Sequence, residues 1–265
     1  MRVDLNGKAV AITGASSGIG AATALSCARA GMPVALFARR ADKLAAVRER
    51  IESAGGRAIT VAGSVDDDAD CIRLIEETER AFGPVYAVIA NAGYGAETPA
   101  WSMPEEDIRA MFETNFYGSL RVLRPAIAGM RQRGAGHLVM VSSCVSKIGL
   151  PCYAAYCASK AAQDHFARAM RIELGVDGVA VSSIHPIGTK TEFFDTAAGR
   201  SPGGSRLLDR GTERFMQPAS KVADAIVRRL GKGRGAEVWT SAPMRVVLGA
   251  AGMMPGLADA ALRRM

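Results

Sequence analysis

A chain of 265 residues with 49% hydrophobic and 22% charged residues and a mean hydropathy of +0.10 can bury one full core, which excludes a disordered chain. Its formal charge of +7 and isoelectric point near 9.4 suit anionic partners, but the arginines form no block interleaved with aromatics, so a nucleic-acid binder is set aside in favour of a surface for phosphorylated small molecules. Five cysteines in odd number without CxxC spacing, and His137, His165 and His185 without clustering, point to reduced thiols in a cytoplasmic protein with no metal centre.

The amino-terminal segment shows no basic region followed by a long apolar run and a cleavage site, so no signal peptide is expected. From there, short β-rich runs alternate with longer amphipathic ones. Residues 8–13 read as a strand, 18–30 as a helix, 33–38 as a strand, and 41–54 as a helix ended by Gly55 and Gly56. A strand at 57–62, a helix at 66–82, a strand at 86–90 and a long helix from 104 to about 132 come next. The acidic run Asp66, Asp67, Asp68 and Asp70 reads as a solvated first turn that complements the helix dipole. The apolar run HLVMVSS is a strand ending at Ser143, and an Ala-rich helix starts at Cys152 after Pro151. A strand at 179–185, a helix at 219–230 and a short strand at 237–240 complete the pattern. Apolar strands alternating with helices imply one α/β domain over 1–265, its parallel sheet covered on both faces. There is no internal repeat.

Two stretches carry chemistry. The first strand ends in TGASSGIG, where Gly14, Gly18 and Gly20 allow a tight turn. Backbone N–H groups there can meet a pyrophosphate at the positive end of the next helix. Further along, Tyr156 and Lys160 share a helix face one turn apart. A cation about 4 Å from the phenol, at an effective dielectric of about 20, would favour the phenolate by up to ~4 kcal/mol, which moves a tyrosine toward general acid/base use. Ser143, at the carboxyl end of its strand, is placed to hold a substrate oxygen beside that phenol.

With these motifs in order, the sequence resembles the short-chain dehydrogenase/reductase family along nearly its whole length. The family's TGxxxGxG is matched by 13–20, which include Ser16, Ser17 and Ile19. Its NAG motif is matched by Asn91, Ala92 and Gly93, its helical Asn by Asn115, its Ser by Ser143, and its YxxxK by Tyr156 and Lys160. The resemblance implies a Rossmann-type doubly wound sheet and hydride transfer between a nicotinamide and a carbonyl or secondary alcohol. Ser143 and Tyr156 would bind the substrate oxygen and Tyr156 would supply the proton. Lys160 would lower the phenol's pKa and bind the nicotinamide ribose. Asn115 would hold a water linking Lys160 to solvent.

Cofactor choice is read after the second strand. No acidic residue stands near Ala38 to take a ribose 2′-hydroxyl, whereas Arg39 and Arg40 suit a 2′-phosphate, so NADP(H) is expected, through Arg39 chiefly. Ser64 and Val65 stand where the family has Asp-Val beside the adenine. Ile187 replaces the Gly of the family's Pro-Gly in HPIGTKT, where Pro186, Ile187, Gly188, Thr189 and Thr191 are expected on the nicotinamide side.

A variable substrate lid is expected at about 189–217, including Phe193, Phe194 and the segment SPGGS, with Tyr94, Tyr153 and Ile187 adding apolar pocket wall. The substrate is therefore expected to be an apolar carbonyl or alcohol. Cys144 and Cys152 flank the site and are read chiefly as filler. The apolar carboxyl end, about 243–265, holds an uncharged stretch at 246–258 that is broken by Pro255 and too short to span a bilayer, which needs ~20 residues. It should pack on the body, cover the pocket or join a subunit interface, with membrane contact the minority reading. The resemblance implies a homodimer or homotetramer. Two other classes share the fold: a catalytically silent NADP(H)-sensing regulator, against which the intact Asn, Ser, Tyr and Lys set speaks, and a membrane-associated member.

Overall fold

Seven strands form one parallel sheet in the computed structural model, which describes residues 2–199, 201 and 216–262. In chain order they are β1 (Ala9–Thr13), β2 (Val34–Ala38), β3 (Ala58–Ala62), β4 (Val85–Ala90), β5 (Gly136–Val141), β6 (Val179–His185) and, after a separate pair made by β7 (Thr189–Lys190) and β8 (Gln217–Pro218), β9 (Glu237–Trp239). The order across the sheet is β3-β2-β1-β4-β5-β6-β9. Alternate residues serve opposite faces, as strand pleating requires. Val10, Ile12, Leu36 and Ile89 pack under α1 (Gly18–Arg29), α2 (Ala41–Ser53) and α8 (Ala219–Leu230). Ala11, Phe37, Val88 and Met140 pack under α3 (Asp68–Phe82), α5 (Gly118–Arg133) and α6 (Ala154–Glu173). The doubly wound sheet read from the sequence is the one that forms.

Strand order reverses between β1 and β4, so the loops leaving their carboxyl ends part and leave a crevice, the place where open α/β sheets bind ligands. Thr13 bolts the two loops together. Its Oγ1 accepts from the main-chain N–H of Asn91 (2.9 Å) and Ala92 (3.0 Å), while Asn91 Nδ2 donates to the Thr13 carbonyl (3.0 Å).

Several local readings are corrected. The long helix at 104–132 is α4 (Glu105–Phe112) and α5 joined by a π-turn at Glu113–Tyr117, which sets Asn115 in the widened turn. Such one-turn insertions gather at functional sites. The helix expected from Cys152 begins at Ala154, because Cys152 adopts a left-handed φ of 64° that cannot continue into a right-handed turn. A 3₁₀ turn at Cys144–Lys147 comes after Ser143. Helix α3 starts at Asp68, later than expected, since Asp67 is its cap and accepts from the Asp70 N–H at 3.0 Å.

Of the expected lid, β7, α7 (Phe193–Gly199) and β8 are described, while most of SPGGS lies outside the described residues. The carboxyl end forms α9 (Ala242–Met253) and α10 (Pro255–Leu262), and residues 263–265 of the expected segment lie outside the described residues. Helix α9 buries Leu248 and leaves Val246, Val247 and Met253 exposed. Among the described residues no helix is long and apolar enough to cross a membrane.

Candidate active site

The crevice is a cavity of about 700 Å³. Its floor at one end is the glycine turn. Gly14 has φ of 63°, and a Cβ there would lie 2.8 Å from Asn91 Nδ2, while one at Gly20 would lie 2.2 Å from the Gly14 carbonyl oxygen. Only glycine fits either position. The backbone thus comes bare to the cavity at the start of α1, whose cap residue Ser17 gives no side-chain hydrogen bond to the helix. Free N–H groups and the positive helix end make this a cradle for a pyrophosphate, so the residues present fit a dinucleotide.

Arg40 reaches back over this turn. Its Nη2 donates to Ser16 Oγ (3.0 Å) and Ser17 Oγ (2.9 Å), and its Nη1 pairs with Glu192 Oε2 at 2.9 Å. Lys43 holds the other oxygen of Glu192 at 2.6 Å. The hydrogen bonds from Lys43 and Arg40 hold the Glu192 carboxyl down at about 2. Arg39 lines the same cavity and makes no ion pair among the described residues, whereas Arg40 is held on the turn by Ser16, Ser17 and Glu192.

Beside the turn, Ser64 Oγ accepts from the Asp66 N–H (3.2 Å), and its own N–H donates to Asp70 Oδ2 (2.9 Å). Asp70, read as part of a solvated turn, instead clamps the loop that carries Ser64 and Val65, and its carboxyl is held low by that backbone bond and by Arg73. On the other wall, Ile187 spends its N–H on Thr240 Oγ1 (3.4 Å) and its carbonyl on Thr189 Oγ1 (2.7 Å). The Gly188 carbonyl accepts from the Gln217 N–H (2.9 Å), which ties this loop to β8.

At the far end stand the hydroxyls. Ser143 caps the 3₁₀ turn, its Oγ accepting from the Val145 N–H at 3.3 Å, and lines the same cavity wall as the phenol of Tyr156, whose pKa it pulls down. The electrostatics differ from the sequence reading. The Lys160 ammonium lies 5.8 Å from the centre of the Tyr156 ring and donates to the Val141 carbonyl (2.9 Å) and Gln163 Oε1 (2.9 Å). Burial pushes the phenol's pKa up, with Ser143 pulling the other way, and burial brings Lys160 down to about 7. Desolvation outweighs the field of a cation at that distance. Tyr156 keeps part of its surface open to the cavity, so residual solvent moderates the rise.

Of the catalytic and cofactor-binding residues expected from sequence, all but two line this one cavity. Gly20 lies behind Gly14. Asn115 is buried behind Gly93, where its Oδ1 accepts from the Tyr94 N–H (2.9 Å) and its Nδ2 donates to the Tyr94 carbonyl (2.9 Å) and Ser159 Oγ (3.0 Å). Its side chain shapes the wall instead of facing the ligand space. Cys144 does line the cavity, but burial pushes its thiol up to about 11, which makes it a poor nucleophile. Tyr153, expected on the apolar pocket wall, lines the cavity, and its buried side chain donates to Glu97 Oε2 at 3.2 Å.

Sequence reasoning missed the charges behind Ser143. Lys147 Nζ lies 2.5 Å from Asp164 Oδ2 and 3.3 Å from Glu237 Oε1, and His185 Nε2 lies 3.2 Å from Asp164 Oδ1. His185 Nδ1 reaches the Ser143 carbonyl (3.1 Å), and its ring stacks on Trp239 at 4.8 Å. The three histidines do not cluster with one another, yet folding brings His185 to Asp164 and Glu237 with ligand atoms within 4.8 Å of one another. The Lys147 ammonium sits among them and pairs with both carboxylates.

The short chain dehydrogenase family model matches residues 8–200. An uncharacterized oxidoreductase of Myxococcus xanthus (strain DK1622) is 34% identical over 258 residues, 96% of this chain and 96% of its own length. A glycine betaine reductase of Emericella nidulans is 32% identical over 212 residues, 77% of this chain but 17% of that longer protein. A solved structure of a short chain dehydrogenase/reductase from Burkholderia phymatum in complex with NAD has a TM-score of 0.88 at 25% identity, covering 97% of this chain and 96% of the other.

Proposed function

The chain belongs to the short-chain dehydrogenase/reductase family of oxidoreductases, and from that premise we propose that it reduces an apolar aldehyde or ketone, or oxidises the matching alcohol, with NADP(H). The observation that carries this reading is the Ser143–Tyr156 hydroxyl pair on the wall of the cavity that also holds the glycine turn.

In this reading Gly14, Ser16, Ser17, Gly18 and Ile19 hold the pyrophosphate, and Ser64 and Val65 flank the adenine. Asn91, Ala92 and Gly93 support the central ribose, and the loop from Pro186 to Thr189, with Thr191, borders the nicotinamide. Arg40, with Arg39, takes the 2′-phosphate. Bound there, the reduced nicotinamide supplies the hydride. Ser143 orients the substrate oxygen. Tyr156 gives that oxygen its proton as the carbonyl π bond breaks and negative charge grows, which converts carbonyl to alcohol. A phenol held protonated by burial is a full acid at neutral pH, and Lys160 is there to stabilise the phenolate left behind. Phe193, which packs against Tyr156 at 5.3 Å, together with Leu150 and Met244, supports an apolar substrate. Tyr117 on the π-turn and Phe166 and Ile172 on α6 are exposed apolar side chains that support a homodimer or homotetramer.

The test is a panel of apolar aldehydes and ketones offered to the purified chain with NADPH and with NADH, cofactor oxidation being monitored optically. Turnover with higher efficiency for NADPH is expected. No turnover with any carbonyl overturns the reaction, and equal efficiency overturns the cofactor assignment.

A further inference from the structure

Lys160 is a buried ammonium, and each of its N–H groups must find an acceptor. Two acceptors are neutral oxygens: the Val141 carbonyl and Gln163 Oε1, each at 2.9 Å. Gln163 lies three residues further along α6, fully buried and outside the cavity. Its amide nitrogen donates to the main-chain carbonyl of Asn115 (2.7 Å) and to Ser119 Oγ (2.7 Å), and Ser119 donates to the same carbonyl at 2.7 Å. The orientation of this amide is forced. An ammonium only donates and a carbonyl only accepts, so Oε1 must face Lys160 and the NH₂ must face Asn115.

We propose that Gln163 is a positioning residue that keeps the Lys160 ammonium charged and in place by joining it to the π-turn of Asn115. The inference rests on the reading of Tyr156 and Lys160 as the acid/base pair. Its physical ground is the lack of an anion. Tyr156, on the same helix, is the titratable group facing the ammonium. Strand β5 brings the Val141 carbonyl, the π-turn brings Asn115, and the loop after β4 brings the backbone of Gly93, where an added Cβ would stand 3.3 Å from Nζ. Among the described residues no carboxylate pairs with Lys160. Burial brings its pKa down to about 7, and the groups that favour the charged form against that burial are the neutral acceptors at Val141 and Gln163. One hydrogen bond to a charged group corresponds to roughly one to two pH units of titration midpoint.

The experiment compares Gln163→Leu and Gln163→Glu with the unaltered full-length chain. Nitrogen NMR of labelled lysines, with Lys160 assigned by its loss in Lys160→Met, reads the ammonium directly. The alkaline limb of kcat/KM for carbonyl reduction reads its use. Leucine removes the acceptor, so both midpoints should fall by about one to two pH units. Glutamate keeps an acceptor and adds an anion, so both should rise above the unaltered value. Folding is checked by circular dichroism, and if the leucine variant does not fold, the glutamate rise alone carries the test. Unmoved midpoints, or shifts of the same sign in both variants, overturn the proposal. If the NMR midpoints move as stated while no carbonyl is reduced by any form, the role of Gln163 stands and the oxidoreductase reading falls. If carbonyls are reduced and the Lys160 midpoint stays fixed, Gln163 is ordinary packing and the reaction reading survives.

Discussion

Asp164→Asn tests the buried charges behind Ser143, because it keeps the side chain's shape and removes its charge. Asp164 is 1% exposed, with Lys147 at 2.5 Å and His185 at 3.2 Å. Breaking a buried pair from one side typically costs about 3–5 kcal/mol. Lys147 retains Glu237 at 3.3 Å and is itself 21% exposed, which puts the loss at the lower end. At about 3 kcal/mol, and about 2–4 °C per kcal/mol for a chain of this size, the melting temperature should fall by roughly 6–12 °C. Melting by circular dichroism at neutral pH and matched protein concentration reads this. Burial pushes the Asp164 pKa up, but the bonds from His185 and Lys147 win and hold it well below the carboxylate range. A depressed folded-state pKa stabilises the fold above the unfolded value near ~4, and that contribution is lost as pH falls toward the folded value. The gap between the two proteins should therefore be full at pH 7 and close steadily below about pH 4. A gap under ~1 kcal/mol at neutral pH, or one that persists undiminished into acid, would refute the reasoning.

Tyr156→Phe removes the acid and one hydrogen bond to the substrate oxygen, so turnover should fall at least ~10³-fold with cofactor affinity little changed. Tyr153→Phe, which loses a buried bond to Glu97, should cost about 1–2 kcal/mol in urea unfolding yet keep turnover within about tenfold; a deeper loss than at Tyr156 would mean the wrong tyrosine has been assigned. Glu192→Gln should tighten binding of 2′,5′-ADP by about fivefold or more and leave 5′-AMP unchanged, because the carboxylate now competes for Arg40 and Lys43. Arg40→Ala should do the opposite, weakening the bisphosphate about tenfold. Calorimetry that finds equal changes for both nucleotides in either variant would remove Arg40 from the 2′-phosphate.

The sheet was legible because strands β1 to β6 are short runs rich in apolar residues separated by helical stretches, so period and punctuation agree. The glycine turn and the Tyr156–Lys160 spacing were legible for the same reason: each is a local pattern. The features that sequence could not convey are set by distance along the chain. Asp164, His185 and Glu237 meet only because α6, β6 and β9 are neighbours in space, and Glu192 reaches Arg40 across 152 residues. The field at Tyr156 was misjudged because helical spacing fixes which residues share a face, while burial and the acceptors at Val141 and Gln163 decide where the ammonium points and what charge it carries. The π-turn has no composition of its own; Glu113–Tyr117 reads as helix, and only the packing on either side demands the extra residue.

That extra residue makes the segment a phase adjuster. Each added residue rotates the downstream helix by about 100° relative to an uninterrupted α-helix. Before the turn, Met111 packs against Ala96 and Ala155; after it, Leu120 and Leu123 pack on the sheet. An unbroken helix of one residue less could satisfy one of these faces and would swing the other toward water. Glu113–Tyr117 should accordingly accept changes of side chain at its exposed positions while rejecting changes of length. Deletion of any one of these five residues should cost folding or activity as severely as loss of Asn115 itself, and a deletion scan that passes through them without effect would show that the two helices set their faces independently.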